Sequence, residues 1–162
     1  MKVYLAAQYS RKLELAKYRD DLTALGIGCT SQWLDEANAP GTTLHEVTED
    51  FKRETARQDL QDIASANAIV FFSEDPLVGI PRGGRHVEFG FAIGLQLAHG
   101  MFQELAPHVM FAKMRVLIVG PYENIFHYLP NVDRVDTWDE AKVWLVEQKQ
   151  LCELEQHLLE GL

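Results

Sequence analysis

Residues 68–72 read Ala-Ile-Val-Phe-Phe, the most hydrophobic segment of the chain, with no alternation of apolar and polar positions. A strand with one face in water alternates; a strand that is apolar throughout has to be covered on both faces. Val3–Ala7 has the same character. Such strands belong to a parallel sheet whose crossovers lay helices over both sides, and that is the frame into which the rest of the chain must fit.

The intervening segments supply those helices. Ser10 is a candidate N-cap for a helix reaching Leu25, with Leu15, Tyr18 and Leu22 on its apolar stripe and Gly26 and Gly28 beyond its end. Ile27–Trp33 reads as a second strand, and Leu34–Thr43, which contains Pro and Gly, as a loop. A charge-dense helix is expected over Leu44–Ala66, then the strand Ala68–Phe72 and a loop Ser73–Gly84. A helix follows over Arg85–Ala98, while residues 99–113 fit either a helical extension or a loop. Arg115–Gly120 is a fourth strand, Asn124–Leu129 a short helical turn, Val132–Val135 a fifth strand, and Glu140–Leu159 a terminal helix, with its domain-level bounds at about 139–160. The expectation is one α/β domain spanning 1–162, doubly wound in the flavodoxin or Rossmann manner, with a mostly parallel sheet of about five strands.

Composition narrows the partners. The 162 residues include 15 Lys and Arg against 24 Asp and Glu, a net charge of −9, which repels a polymeric nucleic-acid backbone. No apolar run is long enough to span a membrane, and the amino terminus opens on a strand rather than a signal peptide. Cys29 and Cys152 lie far apart and outside any CxxC spacing, so a cytoplasmic protein with reduced thiols is expected. The six histidines show no ligand spacing, so no metal is implied. Ala6–Ala7–Gln8 stands where a dinucleotide fingerprint would follow the first strand, which argues against a nicotinamide cofactor and leaves no cofactor expected.

In doubly wound sheets, ligands bind at the carboxyl ends of the strands. The loop after the third strand reads Pro81–Arg82–Gly83–Gly84–Arg85–His86–Val87–Glu88–Phe89–Gly90. Gly83 and Gly84 permit a tight turn and a close approach to a ligand. Glu88 falls near the start of the next helix, where the dipole favours an ionised carboxylate and Arg85 and His86 can hold it as an anion. Such a carboxylate suits nucleophilic attack at a glycosidic carbon. Gly90 and Gly94, one turn apart, suggest close packing of this helix on the sheet.

With these residues in place, the chain resembles the nucleoside 2-deoxyribosyltransferase-like family from Met1 to about Leu145. Four blocks carry the likeness: Val3–Ala7 with Tyr9–Ser10; Asp59–Ile63 leading through Ala66–Asn67–Ala68; Glu88–Ala92; and Val119–Pro121 followed by Glu123–Phe126. The resemblance implies that Glu88 is the nucleophile that attacks C1′ of a (deoxy)ribose to form a glycosyl-enzyme. It implies that Tyr4 orients that carboxylate, that Asp59 contacts and protonates the base, that Tyr9 stacks on it, and that Asn124 reaches the 5′ side of the sugar, often from a neighbouring subunit. A homo-oligomer is therefore expected, and leucines 151, 154 and 158 of the terminal helix offer a second route to one.

The chain departs from the transferase pattern at Arg82, where an acidic residue is usual. Arg82, Gly83, Gly84, Arg85 and His86 suit a phosphate instead, by bidentate and backbone N–H hydrogen bonds. The sequence thus points to an N-glycosyl enzyme, deoxyribosyltransferase or nucleotide hydrolase, acting on a small nucleoside or nucleotide. A phosphoribohydrolase of the lysine-decarboxylase-like type ranks behind it, because Pro81–His86 lacks the Pro-Gly-Gly-x-Gly-Thr signature. The alternative outside enzymes is a non-catalytic nucleotide or nucleotide-sugar sensor on the same fold.

Overall fold

The structure, a computed structural model, describes residues 1–36, 47–75, 77, 83–105 and 113–160. Five strands form one sheet: β1 (Lys2–Ala6), β2 (Gly28–Cys29), β3 (Ala68–Phe72), β4 (Arg115–Val119) and β5 (Val132–Val135). Every pairing is parallel and the order is β2-β1-β3-β4-β5. β3 and β4 are buried at all five positions, as an interior strand of a covered sheet requires. The fold is the doubly wound α/β architecture expected from the apolar runs.

Four helices cover the sheet: α1 (Lys12–Ala24), α2 (Glu49–Ala64), α3 (Gly84–Leu105) and α4 (Trp138–Glu160). The crossover from β1 to β2 runs in the opposite direction to those from β2 to β3 and β3 to β4. Right-handed connections therefore put α1 on one face and α2 and α3 on the other. α2 and α3 pack on each other. α4 joins α1: Trp138 Nε1 donates to Asp21 at 2.8 Å, the Trp138 and Tyr18 rings stack at 4.5 Å, and Lys149 Nζ donates to the Leu25 carbonyl at 3.1 Å.

Several expected boundaries move, each for a local reason. The second strand ends at Cys29 rather than Trp33, because side chains take over the edge of β1. Leu5 N–H donates to Ser31 Oγ at 2.6 Å, and Trp33 Nε1 donates to the Leu5 carbonyl at 3.0 Å. The chain then enters a 3₁₀ turn over Gln32–Asp35. Ser10 does not cap α1; it lies within a 3₁₀ turn, Tyr9–Arg11, that feeds the helix. α2 starts at Glu49, where Thr48 Oγ1 accepts from the Phe51 amide at 3.2 Å. Residues 44–46 of that expected helix, most of the loop 34–43 and residue Arg82 lie outside the described residues. α3 runs on to Leu105, which settles the first part of 99–113, and 106–112 are not described.

Gly90 and Gly94 do not pack on the sheet. The buried face of α3 is Arg85, Phe89, Ala92, Ile93 and His99. The glycines lie on the outer side with Val87, Leu97 and Met101, and a Cβ added at either would meet no atom within 4 Å. Gly120 is the opposite case. It ends β4 at φ +112°, and a Cβ there would stand 2.6 Å from Ser73 Oγ. Ser73 in turn donates its N–H and Oγ–H to the Val119 carbonyl, at 3.0 and 3.1 Å, tying the end of β3 to β4.

These two environments predict opposite signs for one substitution. Gly120→Ala should cost about 2 kcal/mol or more through backbone strain and the Ser73 clash. Gly90→Ala should gain about 0.5–1 kcal/mol from helix propensity. Equilibrium denaturation of the two variants checks both; a stabilised Gly120→Ala would show that the β4 turn is not held as described.

Candidate active site

The strand order reverses between β1 and β3, and the crevice this leaves opens at their carboxyl ends. A cleft of about 180 Å³ lies there, lined by Ala7, Gln8, Tyr9, Trp33, Glu36, Thr55, Asp59, Gly84, Arg85 and Glu88. Each wall comes from a different segment: the turn after β1, the 3₁₀ turn after β2, α2, and the first turns of α3. A second hollow of about 310 Å³ shares Trp33, Glu36, Thr55 and Asp59 and continues between the 3₁₀ turn and α2.

Tyr4 stands under this cleft. Its register against Ile69 in the centre of the sheet buries it completely. Its hydroxyl meets no partner at full hydrogen-bond geometry, yet it lies close enough to Glu88 and Asp59 to favour the anionic form of each. Burial, then the charges of Glu88 and Asp59, hold the phenol far above its ordinary range, so it stays a donor.

The two carboxyls are perturbed in the other sense. Burial, reinforced by the charge of Asp59, pushes Glu88 up to about 8. Burial, then Glu36 and Asp62, push Asp59 up to about 7, against the favourable Tyr4 hydroxyl. Burial also raises Glu36, opposed by the charge of Lys12. Asp62 is buried and accepts from Gln32 N, Gln32 Nε2 and Gln58 Nε2, each at 2.9 Å. It thereby fastens the 3₁₀ turn carrying Trp33 and Glu36 to α2, one turn from Asp59.

The expected ionised Glu88, held by Arg85 and His86, is corrected here. Glu88 is the fifth residue of α3, and Arg85 and His86 both turn to Glu123. Arg85 is 5% exposed; its Nη2 donates to Glu123 Oε1 at 2.9 Å, its Nη1 to the Phe72 carbonyl at 3.4 Å, and its guanidinium lies over the Phe71 ring. A buried cation needs a partner; Glu123 supplies the close one, and Glu74 Oε1 lies 3.8 Å from Nη1. Arg85 lines the cleft with its Nη2 engaged by Glu123, while its Nε has no hydrogen-bond partner. Gly83 and Gly84 are exposed with open space at each Cβ position.

Of the remaining expected residues, Tyr9 lines the cleft and meets Trp33 with ring centroids 6.0 Å apart and planes at 40°. Asn124 is not among the lining residues; its side chain caps the 3₁₀ turn Ile125–Tyr128, accepting from the Phe126 amide at 2.9 Å. Sequence reading missed Trp33, Glu36 and Thr55. The apolar pattern puts Trp33 in a strand, and nothing in a lone Glu or Thr marks a pocket until α2 and the 3₁₀ turn are set side by side.

It also missed a group of metal-binding type. His86, Glu123 and His127 bring one ligand atom each to within 4.8 Å of one another, although His86 and His127 are far apart in the chain. Burial lowers His86, and burial with the neighbouring His86 and Arg85 pushes His127 down to about 4.

The raised carboxyls carry a stability consequence. Between the ordinary 4.5 and about 8 for Glu88, and between 3.8 and about 7 for Asp59, the folded chain binds protons that the unfolded chain has released. Folding stability from these groups therefore falls as pH rises through that window. Glu88→Gln removes one of them and should raise the unfolding free energy by more than about 1 kcal/mol near pH 8.5, with little effect near pH 4.5. Denaturation at the two pH values reads this; an equal effect at both would mean the carboxyl is not buried in the folded state.

No family model matches the chain, and no curated protein matches it. Among solved structures it is similar to a CMP N-glycosidase, BcmB, of Clostridium botulinum, with 17% sequence identity and a TM-score of 0.44 over 83% of this chain and 88% of that one.

Proposed function

We propose that the chain acts on the N-glycosidic bond of a nucleoside or nucleoside 5′-monophosphate, with Glu88 as nucleophile. The observation that carries this reading is the gathering of Tyr4, Asp59 and Glu88 around one cleft at the switch point of the sheet. Two carboxyls with raised proton affinity beside a non-ionising phenol are the equipment for one acid and one anion at neutral pH.

In this reading the base lies against Tyr9 and Trp33, where offset aromatic faces favour a planar ring. Glu88 as carboxylate attacks C1′. The C1′–N bond breaks with its electron pair on the base nitrogen, and the proton on Asp59 passes to the base. The glycosyl ester on Glu88 is then opened at C1′ by water, giving hydrolysis, or by a second base, giving transfer. The incoming group loses a proton to Asp59, which restores the starting state. Tyr4 donates toward Glu88 and steadies it as the departing carboxylate. The raised Glu88 carboxyl also suits the second reading, a nucleotide sensor that binds without turnover and keeps this group neutral.

Incubation with a panel of nucleosides and 5′-monophosphates, with and without a second free base, separates the outcomes by chromatography. Base release indicates hydrolysis and a new nucleoside or nucleotide indicates transfer. Glu88→Ala should lower turnover by at least about a thousandfold while retaining ligand binding. Ligand binding by the parent chain without any product would favour the sensor. The pH profile tests Tyr4: kcat/KM should follow a bell, rising as the nucleophile ionises and falling as Asp59 loses its proton. In Tyr4→Phe that rise should move to higher pH, since the hydroxyl that favours the anion is gone. An unmoved profile would remove Tyr4 from the mechanism.

A further inference from the structure

Behind the wall of the cleft, Glu123 divides its two oxygens between different tasks. Oε1 accepts from Arg85 Nη2 at 2.9 Å and from the Glu74 amide. Oε2 is buried without a hydrogen-bond partner and faces His86 Nε2 at 3.5 Å. His127 is completely buried and its Nε2 is also without a partner. Buried polar atoms are nearly always satisfied, so orphaned polar atoms on two residues whose ligand atoms lie within 4.8 Å of each other and of His86 ask for an occupant.

We propose that His86, Glu123 and His127 form a binding site for a divalent transition-metal ion of the zinc type. Two imidazoles and a carboxylate are a common donor set for that class, with a fourth position left open. Ligand atoms around a tetrahedral ion with bonds near 2.0–2.1 Å stand roughly 3.3 Å apart. The 3.5 Å between His86 Nε2 and Glu123 Oε2 fits that spacing. All three ligand atoms fall within 4.8 Å of one another, so small side-chain shifts close the set. The His86 side chain is 30% exposed against 7% for Glu123, which gives an ion a way in from one side.

Two features weaken the site relative to a closed structural centre. Arg85 places a positive charge on the far oxygen of Glu123. His127 Nδ1 accepts from the Glu123 amide at 3.3 Å, so the neutral ring carries its proton on Nε2. An ion on Nε2 moves that proton to Nδ1 and breaks this long hydrogen bond. The ion therefore exchanges, and it ties the first turn of α3 to the loop after β4, two residues before Glu88.

Calorimetric titration of the metal-free chain with Zn²⁺ tests the site without reference to turnover, so its outcome is independent of the glycosidic reading. One ion per chain is expected, with a raised melting temperature, and Co²⁺ should develop the visible absorption of a low-coordinate site. Glu123→Gln keeps an oxygen for Arg85, and His86→Ala alters the most exposed ligand, so both should fold. Each should weaken binding by more than about tenfold. Absence of saturable binding overturns the proposal. So does binding that survives both substitutions, which would place the ion elsewhere on this acidic protein.

Discussion

The parallel pairing of β1 with β3 is the constraint on which the rest depends. It places Val3 opposite Ala68 and Ala6 opposite Phe71. Because the chain leaves β1 toward β2 and leaves β3 toward β4, the two exits diverge and no crossover can fill the space between them. Everything that lines the cleft arrives there as a consequence. The turn after β1 brings Tyr9, α2 brings Asp59, and α3 brings Glu88. Register does the finer work: a one-residue slip would turn Tyr4 to the α1 face and leave the carboxyls without their donor.

The charges around that crevice are sorted rather than mixed. Arg11 holds Glu14 and Glu74, and Arg85 holds Glu123, each over an aromatic ring of β3. Among the described residues, these pairs engage the arginines nearest the end of β3. Three carboxyls, Glu36, Asp59 and Glu88, line the cleft beside the paired Arg85, with Asp62 behind them. Burial in a low-dielectric space is the common cause of the upward shifts at Glu88, Asp59 and Glu36, and neighbouring carboxyls add to it at Glu88 and Asp59. The group of carboxyls also favours cationic charge at its centre, the kind that develops on a sugar as its glycosidic bond breaks.

Much of the fold was legible because it is written in local patterns. The run 68–72 has no polar residue to misplace, and the structure makes it β3 with the same ends. Val132–Val135 and the start of α3 within one residue follow from turn residues at their borders. The second strand was not legible past Cys29, because its partner atoms are the Ser31 hydroxyl and the Trp33 indole, and no periodicity reports a side chain substituting for a ladder. Gly90 and Gly94 misled for a related reason: spacing shows that two glycines share a face, but not which face is buried. Arg85 is the plainest case. Its sequence neighbours are glycines and a histidine, as in a phosphate loop, while the residue that claims it, Glu123, lies on the far side of β4.

The proton count at the cleft leads one step further. Tyr4, Asp59 and Glu88 interact too closely to titrate separately, so the group carries a shared proton whose position depends on what else is bound. Burial raises both carboxyls, to about 8 at Glu88 and about 7 at Asp59, so the pair retains protons at neutral pH. Catalysis as proposed needs one arrangement of them, an anion at Glu88 and an acid at Asp59. A base that accepts a hydrogen bond from Asp59 favours its protonated form, and a sugar carbon gaining positive charge favours the anion at Glu88. Both effects act in the same direction and only when a substrate is in place. The two sites hold protons with similar strength, so ligand contacts of ordinary strength can decide which one carries the proton. Substrate binding would then do more than position the bond: it would settle the proton on the acid and leave the nucleophile as the carboxylate.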